Sequence, residues 1–332
     1  MKFTADALAP LIAKGDRRAL ARAITLIESS RADHRREAVA LLGQLATVGR
    51  APVLRVGLSG TPGVGKSTFI EEFGLQLTAQ GKKLAVLAVD PSSARSGGSI
   101  LGDKTRMERL SRDPNAYIRP SPSQTHLGGV ARRTREAITL CEAAGFDLVM
   151  VETVGVGQSE TLVSDMVDLF VLLMAPAGGD ELQGVKRGIM EMADIILVNK
   201  ADGELKSAAM RTVSDYAGAL RLLRKRPQDP EGFPKALPVS ALSCTGLEAA
   251  WAEMQDLAGW RQKHGHFERR RTEQARHWFE AEVREGVLAM LQTDPALRAQ
   301  MHTLGAEVAA GTTPATVAAD AVLQKLRAIT QS

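Results

Sequence analysis

The chain has 332 residues, 44% of them apolar and 24% charged, close to the average for soluble globular proteins, so it can bury a substantial core and disorder is not expected. Its formal net charge of +4 is modest, aromatics make up 4%, and basic runs are confined to patches such as Arg221–Arg226 and Arg269–Arg271. These read as solvated helix faces and argue against a nucleic-acid partner. Two isolated cysteines, Cys141 and Cys244, argue against a disulfide framework or a zinc knuckle. With no apolar run of signal-peptide or membrane-spanning length, a cytoplasmic chain without a membrane partner is expected.

Residues 1–50 read as a helical N-terminal extension, with Leu20, Ile24 and Ile27 on one helix face and Val39, Leu42 and Leu45 on another. From Val53 the texture changes to short apolar runs alternating with helical stretches, the pattern of an α/β fold. Strands are expected at 53–58, 84–89, 116–119, 148–152, 169–174, 195–199 and 236–239. Most are continuous apolar runs, as in parallel strands covered on both faces. Phe279, Val283, Val287 and Leu291 mark a long amphipathic helix, and Thr313 before Pro314 marks the start of another. The expected division is an N-terminal extension over 1–50, a nucleotide-binding domain over 51–262 and a C-terminal helical region over 263–332.

The segment Gly60, Thr61, Pro62, Gly63, Val64, Gly65, Lys66, Ser67, Thr68 matches G-x-x-x-x-G-K-[ST] between a strand and a helix. Its glycines let successive N–H groups converge into an anion nest, and the following helix adds its positive N-terminal end. Lys66 is expected at the β and γ phosphates, and the Ser67 hydroxyl on Mg²⁺. Asn199, Lys200, Ala201 and Asp202 follow the run ADIILV, at the carboxyl edge where a sheet of this kind binds nucleotides. The Asp202 carboxylate can accept from guanine N1–H and its 2-amino group together, and adenine offers no such pair, so GTP is favoured over ATP. Ser240, Ala241 and Leu242, just after a strand, are expected to supply backbone contacts to the guanine oxygen. Asp90 and Glu152 each end a strand facing the phosphate loop, where Mg²⁺ and water need carboxylates. Glu152 is followed at the spacing of a γ-phosphate sensor by Gly155.

These residues resemble the methylmalonyl-CoA mutase-associated GTPases of the MeaB type, also known as ArgK or lysine/arginine/ornithine transport kinases. The resemblance rests on GTPGVGKST, AVDPSS, GGSILGDKTRM, YIRPSP, LGGV, ETVGVGQSE, GGDELQGVKRGI, NKAD and TPATVAADAVL, and spans nearly the whole chain. It implies a P-loop NTPase of the SIMIBI class with a mostly parallel central sheet, homodimeric through its C-terminal helices. It also implies a slow GTPase that cycles between GTP and GDP. Such proteins gate adenosylcobalamin delivery to a cobalamin-dependent acyl-CoA mutase and protect that enzyme. Family switch segments map onto 90–107, with Asp90 and Asp103 implied as nucleotide-responsive acids, onto 152–160, and onto 178–188, with Gln183 and Lys186 implied in coupling to the partner. The chain departs from the family pattern at Ser123, Gln124, Thr125 and His126, and no role is assigned there.

Three rival classes are weighed against this reading. A nickel-delivery GTPase tends to carry histidine tracts or cysteine clusters, and here six histidines and two cysteines are scattered. A kinase of a transport system would be expected to prefer ATP, which Asp202 opposes. A pure interaction module with a degenerate site is opposed by the intact Lys66, Ser67, Asp90, Glu152 and Asp202.

Overall fold

The computed structural model of the chain describes residues 4–48, 52–89, 107–119, 127–153, 159–176 and 187–331. It divides into two compact units, Met1–Arg271 and Thr272–Ser332.

The first unit opens with helices α1 (Ala5–Ala13), α2 (Arg17–Glu28) and α3 (Ala32–Leu45). Asp16 caps α2, its carboxylate accepting the Ala19 N–H at 2.8 Å. Leu20, Ile24 and Ile27 are buried as expected, but on α3 the buried face is Ala38, Leu41 and Leu45, and Val39 is exposed. Ala38 and Leu41 turn inward in place of Val39 and Leu42, one residue earlier than the branched side chain suggests, while Leu45 is common to both faces.

Seven strands follow: β1 (Leu54–Gly60), β2 (Leu84–Val89), β3 (Ala116–Arg119), β4 (Leu148–Thr153), β5 (Leu169–Met174), β6 (Ile195–Val198) and β7 (Lys235–Pro238). They pair in parallel in the order β3-β2-β4-β1-β5-β6-β7. Every residue of β2, β4, β5 and β6 is buried, as a parallel sheet covered on both faces requires. The strands fall where the apolar runs put them, within two residues at each end.

The connecting helices are α4 (Lys66–Ala79), α5 (Glu108–Arg112), α6 (Leu127–Ala143), α7 (Ser159–Ser164), α8 (Arg187–Met192), α9 (Lys206–Arg221) and α10 (Leu247–Lys263). On one face of the sheet, Phe69 and Phe73 of α4 stack at 5.3 Å, and Phe73 meets Trp251 of α10 edge-on at 5.9 Å. They join Val56, Leu58, Leu148 and Met150 in one core cluster. The alternate residues of β1 face the other layer: Arg55 pairs with Glu142 of α6 at 2.7 Å, and Gly57 leaves room for Val163 of α7. Helices α1–α3 pack on α6 and complete that layer.

The second unit continues α11 (His266–Thr293) and adds α12 (Pro295–Ala309) and α13 (Ala315–Gln331). Asp294 caps α12, accepting from Ala296 N and Leu297 N, with Pro295 in its first turn. The division at Arg271 lies inside α11. Side chains early in this helix are tied to the first unit: Arg270 donates to Val167 O and Ser164 O, and Arg271 clamps Asp168 at 2.7 and 2.8 Å.

At the amino edge of the sheet, the buried Asp168 and Asp194 stand just before β5 and β6, and arginines claim them together with the nearby Asp229. Asp168 also accepts from Arg55 N at 2.8 Å. Asp194 accepts from Phe170 N at 2.7 Å, Arg261 at 2.6 Å and Arg226 at 2.9 Å. Asp229 accepts from both Arg261 and Arg226. Burial alone would raise the Asp194 pKa, but Arg261 and Arg226 outweigh it and hold the carboxyl below its usual value.

Replacing Arg261 with Met should destabilise the first unit by roughly 3–5 kcal/mol, because two buried carboxylates lose a partner. Denaturant unfolding checks this. A depressed native pKa contributes stability above the ordinary carboxylate pKa of about 4 and loses it as pH falls below that. The Arg261→Met penalty should therefore be full at pH 6–8 and shrink as pH falls through about 4.

Candidate functional site

The phosphate loop leaves β1 at the carboxyl edge of the sheet, between β4 and β5, and feeds α4. A side chain at Gly60 would meet the Leu173 carbonyl of β5 at 2.3 Å, so only glycine fits there. Gly63 and Gly65 adopt positive φ of 79° and 94°, which favours glycine in a turn that gathers N–H groups inward. Val64 is buried and anchors the loop, while Thr61 and Ser67 are half-buried and Pro62 and Thr68 exposed. Lys66 is buried, and its ammonium donates to Gly60 O at 2.5 Å and Thr61 O at 3.2 Å. Burial lowers its pKa, and the carboxylates of Glu152 and Glu160 oppose that shift.

Asn199 follows β6 and is the joint of the site. Its Nδ2 donates to Val64 O of the phosphate loop at 2.9 Å, and its Oδ1 accepts from Ala241 N at 3.0 Å. Its backbone N–H donates to Met174 O at the end of β5. Lys200 takes a positive φ of 58° and reaches back to Gly63 O at 3.0 Å. Ala201 N donates to Val239 O, and the Asp202 carboxylate accepts from the Ser240 hydroxyl at 2.6 Å. The structure thus brings the phosphate loop, Asn199–Asp202 and Ser240–Leu242 together through direct bonds.

Ser240 N donates to Thr245 O and Ala241 N to Asn199 Oδ1, so both backbone N–H groups are spent within the site. The side chain of Ser240 carries a role that sequence reasoning missed, since its hydroxyl holds Asp202 and also accepts from Ser243 N at 3.1 Å. A serine three positions before a solvent-facing hydroxyl residue gives no sequence signal for that contact.

Glu152 is buried at the end of β4, next to β1 in the sheet. Thr153 beyond it donates to the Ser59 hydroxyl at 2.9 Å, tying β4 to the strand that launches the phosphate loop. Glu160, buried at the start of α7, is a second acid within electrostatic reach of Lys66. Asp90, Asp103, Gly155, Gln183 and Lys186 lie outside the described residues.

Lys66→Ala should weaken GTP binding by roughly 100-fold or more, since charge-assisted hydrogen bonds contribute about 1.5–3 kcal/mol each. On the expected pairing of Asp202 with both guanine donors, Asp202→Asn leaves a group that cannot accept both. GTP affinity should fall by roughly 10²–10⁴-fold while xanthosine triphosphate, which offers an acceptor at position 2, gains. Fluorescent-nucleotide titration reads both variants, and an unchanged GTP affinity in either would remove that residue from the site.

Comparisons with known proteins agree with this geometry. Residues 20–296 match the family described as Methylmalonyl Co-A mutase-associated GTPase MeaB. A putative GTPase of Caulobacter vibrioides is 51% identical over 319 residues, covering 96% of each chain. The mitochondrial methylmalonic aciduria type A homolog of Mus musculus is 48% identical, covering 97% of this chain and 79% of its own. A solved structure of a protein described as a LAO/AO transport system kinase superposes with a TM-score of 0.73 at 34% identity, covering 100% of this chain and 99% of that one. The fold is accordingly that of a P-loop GTPase, and the chain hydrolyses GTP. It belongs to the methylmalonyl-CoA mutase-associated GTPase family of the MeaB type.

Proposed function

We propose that the chain is a cytoplasmic GTP-driven chaperone that gates adenosylcobalamin delivery to a cobalamin-dependent acyl-CoA mutase, methylmalonyl-CoA mutase foremost, and protects that enzyme. The observation that carries the reading is the Asn199 joint, which ties a guanine-selecting loop to a phosphate loop in a member of a family named for mutase association. In this role nucleotide identity and phosphate count are read by one connected unit. Asp202 selects the base, Lys66 and the loop amides hold the phosphates, and Glu152 stands at the end of β4 to respond to the γ phosphate. Asp90, Asp103, Gln183 and Lys186 are proposed as the residues that pass nucleotide state to the partner.

Mg²⁺ bound with the nucleotide would neutralise charge developing on the transferred phosphoryl group. Ser67 and Glu152 are oxygen donors of the right hardness to hold it, directly or through its water shell. Among the described residues no cluster of three or more His, Cys, Asp or Glu forms a metal site, and a nucleotide-bound Mg²⁺ needs none. With no arginine finger assigned in the chain, intrinsic hydrolysis should be on the order of 10⁻⁴ to 10⁻² s⁻¹, the rate of a switch.

We also propose a homodimer formed through the C-terminal helices. Phe279, Val283 and Val287 share one face of α11 at i, i+4, i+8 spacing and are 68%, 51% and 42% exposed, an apolar stripe that favours a covering surface. Among the described residues no helix is long and apolar enough to cross a membrane.

Capture of purified methylmalonyl-CoA mutase should differ between the GDP form and the form with a nonhydrolysable GTP analogue, and the mutase should accelerate GTP turnover ~10-fold or more, which needs about 1.4 kcal/mol of added transition-state stabilisation. Equal capture in both forms, with turnover unchanged by the mutase, would contradict the chaperone reading. Transfer of phosphate to a protein instead of water would favour a transport-system kinase in its place.

A further inference from the structure

On the layer that α1–α3 and α6 build over the sheet, away from α4, four guanidinium groups meet two carboxylates. Arg119 at the end of β3 clamps Glu28 of α2 through Nε at 3.1 Å and through Nη2. Arg35 of α3 pairs with Glu136 of α6. Each acid bonds an arginine other than Arg132 and Arg133, which lie on α6 in the same cluster, Glu136 through Oε1 while its buried Oε2 makes no hydrogen bond among the described residues. Arg133 is only 6% exposed, yet among the described residues its Nε and Nη1 donate to no acceptor, and neither does the buried Nε of Arg132. The groups facing Arg133 are Arg132, Glu28, Glu136 and Arg35; burial and Arg132 push its pKa down, and the two acids offset that only in part.

A buried lysine can shed its proton to relieve such a position, but a guanidinium cannot, so its charge must be answered by an anion. The surplus is two positive charges, with three buried N–H donors contributed by two adjacent arginines. A planar carboxylate carries one charge and two oxygens, whereas a phosphate group carries up to two charges and presents oxygens tetrahedrally, which suits donors that are not coplanar. The half-buried Arg132 gives the site an open side. We propose that Arg132 and Arg133, backed by the Arg35–Glu136 and Arg119–Glu28 pairs, form a second oxyanion site, separate from the phosphate loop, that takes a dianionic phosphate group.

The test uses the full chain saturated with a nonhydrolysable GTP analogue and Mg²⁺, so that both the β and γ phosphate positions of the loop are filled, with inorganic phosphate as the probe at constant ionic strength. Phosphate should raise the unfolding midpoint by about 2–4 °C. Sulfate, also a dianion, should do the same, and acetate should do much less. In Arg133→Met the phosphate shift should vanish while the midpoint without phosphate stays level or rises, because a buried charge lacking its anion has been removed. No shift in the wild type, an equal shift with acetate, or a full phosphate shift in Arg133→Met would each overturn the site. The last outcome would place the phosphate elsewhere on the chain. If Arg133→Met does not fold, Arg132→Gln decides: a phosphate midpoint weakened threefold or more supports the site, and an unchanged one overturns it.

Discussion

The nucleotide site depends on one side chain, Asn199, whose two polar atoms are spent on two different loops. Its Nδ2 holds Val64 of the phosphate loop, and its Oδ1 holds Ala241 beside Ser240, whose hydroxyl donates to Asp202. Each bond alone is a modest net term of about 1 kcal/mol, but together they fix the spacing between the phosphate loop and the turn that follows β7. The surrounding geometry is built to admit this joint. A Cβ at Gly65 would stand 2.8 Å from Asn199 Nδ2, so the glycine serves the contact as well as the loop's own turn. The positive φ of Lys200 turns the chain so that Asp202 arrives beside Ser240.

The two edges of the sheet divide the work. At the carboxyl edge the polar groups pair locally: Lys66 rests on its own loop's carbonyls, and Asp202 on a serine hydroxyl. At the amino edge, Asp168, Asp194 and Asp229 are locked by Arg271, Arg261 and Arg226 in buried bidentate or shared bonds. That network holds the starts of β5 and β6 against the end of α10 and the start of α11. A rigid amino edge leaves the loops at the other edge as the part that can respond to a ligand.

Much of this was legible in the sequence. The buried strands announced themselves because parallel strands are apolar on both faces, and the phosphate loop because its glycines and lysine have fixed spacing. NKAD was legible because it follows such a strand. What escaped was long-range pairing: Asp194 with Arg261 lies 67 residues apart, and Arg35 with Glu136 lies 101 apart, with no local pattern to join them. The buried face of α3 also escaped, since Ala38 faces inward while the larger Val39 faces solvent. Ser240 was found by position, but the work of its hydroxyl depends on where Asp202 lands, which only the fold decides.

The central claim is that Asn199 makes phosphate binding and base selection one event, and the ratio of GTP to ATP affinity in Asn199→Ala tests it most directly. A carboxylate matched to guanine should let the wild type reject ATP by roughly 10⁴-fold. In Asn199→Ala, with native far-UV circular dichroism retained, that discrimination should fall by roughly 100-fold or more as Val64 and Ala241 lose their common anchor. Wild-type discrimination at wild-type GTP affinity in Asn199→Ala would contradict the account.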